Sequence, residues 1–69
     1  MELQYLPHAR RRMRQRGVSE AEVEACLQGY DISYQDKKGN PVYISNISGR
    51  RIKVIVQKEN LLVVITVGD

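Results

Sequence analysis

The chain has no tryptophan, no phenylalanine, one cysteine, one histidine and two prolines. Each scarcity closes off a class of protein. Four tyrosines are the whole aromatic supply in 69 residues, so the core must be aliphatic, and Ile, Val and Leu gather in the last third. A single cysteine cannot form an internal disulfide, and nothing argues for an oxidising compartment. One Cys and one His cannot complete a structural tetrahedral cage, so neither a metal nor a cofactor is expected. No apolar run approaches the roughly 20 residues that cross a bilayer. The apolar run at 61–67 is only of strand length, and no membrane partner is expected. Met1-Glu2-Leu3-Gln4-Tyr5 lacks a charged stretch followed by an apolar one, which makes a cytoplasmic location the expectation.

What is present is charge, unevenly placed. Residues 1–18 hold five arginines against Glu2, a net of +4. Residues 19–36 hold Glu20, Glu22, Glu24, Asp31 and Asp36 with no base, a net of −5. Residues 37–69 hold six bases against Glu59 and Asp69, again +4. Two basic segments flanking an acidic one are compatible with a polyanion bound on one face. A chain of this length makes one domain, 1–69, burying only about 60% of its unfolded surface.

Pro7 suits the first position of a helix, and no breaker follows until Gly17, which can close the helix in a left-handed conformation. At about 100° per residue, Leu6, Ala9 and Met13 form an apolar stripe. His8, Arg12 and Arg16 follow one another beside it at i, i+4, i+8, whereas Arg10 and Arg14 point to solvent. Ser19 with Glu22 forms a capping box that starts a second helix near Glu20. Val23, Cys26 and Leu27 make its stripe, and Gly29 ends it. The glutamates of its first turn are explained by the helix dipole alone.

Beyond Tyr30 the period changes from helical to alternating. Strands are expected at 32–35, 42–47, 51–57 and 61–67, joined by turns at Asp36–Asn40, Ser48-Gly49 and Lys58-Glu59-Asn60. Short connections imply an antiparallel meander. The expected architecture is therefore α+β, with two N-terminal helices packed on one face of a four-stranded antiparallel sheet. In the third strand Ile52, Val54 and Val56 share one face and Arg51, Lys53 and Ile55 the other. Leu62, Val64 and Ile55 are candidates for the face away from the helices. Such an apolar second face asks for a groove, a second copy or a partner protein to cover it.

His8 with Arg12 and Arg16 is the sharpest constellation. It suits a phosphodiester: the imidazole as general acid or base, the guanidinium groups as clamps on non-bridging oxygens. The plainer reading is a wet basic helix with an exposed histidine. Helix, Gly turn and helix also resemble a DNA-binding helix-turn-helix, but the second helix would offer Ser19, Glu20, Ala21 and Glu24, whose carboxylates DNA phosphates repel. Cys26 reads as a buried thiol. Arg50, Arg51 and Lys53 form a second basic cluster, Tyr43 could hydrogen-bond a phosphate, and Thr66 breaks the last apolar run with a hydroxyl that bonds locally or points into a site.

His8-Ala9-x-x-Arg12-Met13-x-x-Arg16-Gly17-Val18-Ser19, with Val23 and Gly49-Arg50-Arg51-Ile52-Lys53-Val54, resembles a family of small bacterial proteins known as a domain of unknown function. That family has been grouped with the RelE-like fold shared by barnase, EndoU and RelE ribonucleases, several of them toxins. The resemblance implies metal-independent RNA cleavage, in which the ribose 2′-hydroxyl attacks the adjacent phosphate. It implies His8, Arg12 and Thr66 as catalytic residues and Arg16 as a substrate-binding one; Tyr43, Arg51 and Lys53 are the further substrate-binding candidates that the residues themselves offer. A second histidine to act as complementary acid is missing, so Tyr43, Arg51 or Lys53 would have to serve. Three readings stand: a toxin-like endoribonuclease, a non-catalytic nucleic-acid-binding module, and a protein-interaction domain that pairs with itself through the exposed sheet face or with an acidic, antitoxin-like protein.

Overall fold

A computed structural model describes residues 1–68. Helix α1 (Pro7–Arg16) begins at its proline and ends at Gly17, whose φ of 64° only glycine adopts without strain. Just past the helix, Val18 N donates to Met13 O at 2.9 Å and Gly17 N to Arg14 O at 3.4 Å, the paired bonds of a Schellman ending. Helix α2 (Glu20–Gln28) follows at once. Ser19 Oγ accepts from Glu22 N at 3.1 Å, and Glu22 Oε1 accepts from Ser19 N at 2.9 Å, completing the expected capping box.

The sheet has five strands, one more than the pattern predicts. β1 (Gln4–Tyr5), β2 (Ile32–Gln35), β3 (Pro41–Ile47), β4 (Arg50–Val56) and β5 (Val63–Gly68) lie in the order β1-β5-β4-β3-β2. β2 to β5 form the antiparallel meander, but β1 adds in parallel to β5, so the sheet is mixed. Gln4 N donates to Leu62 O and Leu6 N to Val64 O, at 2.8 and 3.1 Å. Two residues are too few to show alternation, which is why this strand left no mark in the sequence.

The last strand also begins later than expected. Asn60 Oδ1 accepts from Leu62 N at 3.1 Å and Asn60 O from Val63 N at 3.0 Å, holding Leu61 and Leu62 in a turn, where both are exposed.

Both helices cover the same face. α1 packs on β5, and α2 on β3 and β4. The core joins Ala9, Met13 and Val18 with Val23 and Cys26 from the helix side, and Ile52, Val54, Val56, Val64 and Val67 from the sheet. Val64 was expected on the other face and is fully buried under the helices. The cause is a bulge: Ile55 pairs with Thr66 but Val56 pairs with Val64, so Ile65 is an extra residue and the alternation of β5 slips. Ile55 does lie on the far face, as expected.

Pairing places Ile32 and Tyr34, Val42, Ile44 and Asn46, Arg51, Lys53 and Ile55, and Thr66 and Gly68 together on that far face. Ile32, Tyr34, Asn46 and Arg51 are exposed there, whereas Val42 and Ile44 are buried, at 1% and 7% exposure.

Candidate polyanion-binding site

Three of the residues singled out in the sequence meet in one cleft. Arg12 sits mid-helix on α1, which crosses β5, and its Nε donates to Val67 O at 3.4 Å. That carbonyl lies beyond the reach of β1, which pairs only with Val63 and Val64. The guanidinium therefore rests over the unpaired end of β5 and next to Gly68, where an added Cβ would lie 3.8 Å from Nη2. Lys53 pairs with Gly68, and Ile55 with Thr66, on the face away from the helices. Arg12, Lys53, Ile55, Thr66, Val67 and Gly68 enclose a cleft of about 150 Å³. A water molecule occupies about 30 Å³ in the liquid, so the cleft has room for a phosphate group.

The electrostatics suit an anion. Two half-buried cations from different elements and one hydroxyl line the cleft, and among the described residues no carboxylate does. Guanidinium offers a planar fork and ammonium a point charge, both partly screened from water, where charge-assisted hydrogen bonds gain strength.

The other expected site residues stand apart. His8 is exposed in the first turn of α1 and lies outside the residues lining the cleft. Arg16 is at the end of the same helix, likewise outside the lining. Arg51 shares the far face, paired with Asn46, two positions along β4 from Lys53. Tyr43 pairs with Val54 and packs against the core on the helix side, its ring 4.8 Å from that of Tyr30. It does not join the cleft.

Arg50 has a structural task. Its guanidinium donates to Gly17 O at 3.0 Å and to Arg16 O, clasping the end of α1 to the start of β4. Arg10, expected in solvent, is exposed but pairs with Glu20 and lies over the Tyr5 ring at 4.4 Å. Sequence reasoning missed Gly68, because the slipped register of β5 decides where it falls. A wider cleft of about 550 Å³ opens among Lys38, Asn40, Gln57, Lys58, Glu59 and Ile65. It is the poorer anion site: Glu59 lines it, and Lys58 Nζ already donates to Lys38 O at 2.9 Å.

Among the described residues no three His, Cys, Asp or Glu side chains gather to hold a metal. No described helix is long and apolar enough to cross a membrane.

Residues 5–69 match the family described as Domain of unknown function (DUF4258). The chain belongs to that family. No curated protein and no solved structure matches it. For this DUF4258 chain, chemistry therefore has to be argued from the site itself. The family match spans both helices and all of the sheet but Gln4, so it includes every residue of the Arg12–Lys53–Thr66 cleft.

Proposed function

We propose that this DUF4258 protein is a cytoplasmic, RelE-like RNA-binding module that holds a backbone phosphate between Arg12, Lys53 and Thr66. One observation carries the reading: two cations from separate elements converge on a half-buried cleft beside a hydroxyl, with no carboxylate among the described lining residues. Arg51 extends the positive surface along the same face. Binding should weaken steeply with salt as counterions return to the RNA. Lys53→Gln should lower affinity and reduce the logarithmic salt slope by about 0.7, one phosphate contact on a single strand. Anisotropy titrations of labelled RNA over a salt series measure both. Unchanged affinity and slope in Lys53→Gln would refute the phosphate contact.

Cleavage is the second reading, favoured by the exposed His8 one helical turn before Arg12. In that chemistry the imidazole takes the 2′-hydroxyl proton, the 2′-oxygen attacks phosphorus, and the bond to the 5′-oxygen breaks. The products are a 2′,3′-cyclic phosphate and a 5′-hydroxyl, the leaving 5′-oxygen taking up its proton from water. Incubation with RNA in EDTA tests it. Products must appear in the parent and vanish in His8→Ala. The far sheet face is also where a second copy or an acidic, antitoxin-like protein would sit, in competition with RNA.

A further inference from the structure

The register of the sheet lines up two rows on the face away from the helices. Tyr34, Val42, Ile55 and Thr66 stand side by side across four strands, and Ile32, Ile44, Lys53 and Gly68 form the row beside them. Each row ends at the Arg12 cleft on β5 and at the edge strand β2. The two ends differ in chemistry. At β5 are cations and a hydroxyl; at β2 are Tyr34 and Ile32, 45% and 52% exposed. Between them lie Val42 and Ile44, both buried, and the half-buried Ile55.

We infer that this face takes an unpaired nucleic-acid strand, with one phosphate held at Arg12 and Lys53 and a base stacked on Tyr34. The inference rests on the phosphate reading above and adds the class of nucleic acid and the residue that selects it. Strands lie about 4.8 Å apart, so Lys53 on β4 and Thr66 on β5 stand about 10 and 14 Å from β2. That exceeds the reach from a phosphate to its own base, so phosphate and stacked base belong to different nucleotides of one strand. An aromatic ring can stack only on a base whose face is free, which a duplex does not offer along its length. The strand residues of the face include Arg51 and Lys53 and no carboxylate among those described, which favours a polyanion over an acidic-and-basic protein surface. Tyr34 is not held in the aromatic pair of the molecule, Tyr30 with Tyr43, which lies on the helix side.

The test compares one labelled RNA sequence as a single strand and as a blunt duplex, with the parent, Tyr34→Leu, Tyr34→Phe and Lys53→Gln. Tyr34 is on an exposed edge, and circular dichroism checks that each variant is folded. The single strand should bind more tightly than the duplex. Tyr34→Leu should weaken single-strand binding by about 5- to 150-fold, the range of one lost base stack, whereas Tyr34→Phe keeps the ring and the affinity. A duplex bound as tightly as the single strand, or a Tyr34→Leu protein that binds like the parent, overturns the inference. If Lys53→Gln still weakens binding in that case, the phosphate cleft survives without the platform. No binding of either RNA overturns both. Binding that fades as protein concentration rises would show a second copy on this face and would also overturn the inference.

Discussion

Cys26 and Arg12 show how one side chain's role follows from its surroundings. Cys26 is fully buried, and its Sγ lies 3.6 Å from the carbonyl oxygens of both Tyr43 and Ile52. Burial first, and then the negative charge of Asp31, push the thiol up from 9.0 to about 11. A thiol held this way is a packing group and not a nucleophile. Because the folded value lies above the unfolded one, its contribution is fully present below pH 9 and is lost as pH rises towards 11, where the unfolded chain ionises first. Denaturation midpoints of the parent should therefore decline over that window more steeply than those of Cys26→Ala. At neutral pH a thiol reagent should label the protein only after denaturant is added. Arg12, by contrast, keeps one nitrogen on Val67 O and leaves its guanidinium facing the cleft.

Among the elements, the joint between the helices is the most local in origin. Gly17 ends one helix, Ser19 starts the next, and Val18 between them is buried in the core. Ser19→Ala should cost about 1 kcal/mol, the usual worth of an N-cap, as measured by urea unfolding. The Ser19 backbone N–H, first among its partners, holds the Glu22 carboxyl below its ordinary value of 4.5. A depressed folded value means that this contribution is present in neutral solution and is lost as pH falls through it, so the parent should lose stability in acid more steeply than Glu22→Gln, whereas Ser19→Ala keeps the backbone N–H. Helix ends were legible in the sequence because their signals lie within four residues of one another. β1 was not, since a two-residue strand exists only through hydrogen bonds to a segment nearly sixty positions away. The phase of β5 was misread for a related reason: the Ile65 bulge is a property of how two strands pair and not of either strand's alternation.

At the scale of the whole molecule, the sheet has one side packed under the helices and one side bare of helices, on which Val42 and Ile44 are nonetheless buried. Ile52 is fully buried beneath the helices, and Ile55, three positions on, is half-buried on the bare side. Truncation of the first should cost about 2–5 kcal/mol. At about 0.05–0.15 kcal/mol per residue for a folded protein, that is a large part of what a domain of this size has. Ile52→Ala should accordingly melt far below the parent, and Ile55→Ala should fall much less. Equal losses in thermal melts would contradict the assignment of faces.

Local chemistry alone settled the two helices, their caps, the meander of β2 to β5 and the sides of β4. Those features depend on periodicity and on neighbours close along the chain. The sequence also singled out Arg12, Lys53 and Thr66, but in separate clusters, with His8, Arg16, Arg51 and Tyr43 beside them. Only the tertiary structure chose among these. Helix α1 crosses the end of β5 that β1 leaves unpaired, and the slipped register turns Thr66 and Gly68 to the side where Lys53 stands. Which cations meet is set by contacts more than forty residues apart in the chain, and no pattern within a segment encodes a meeting of that kind.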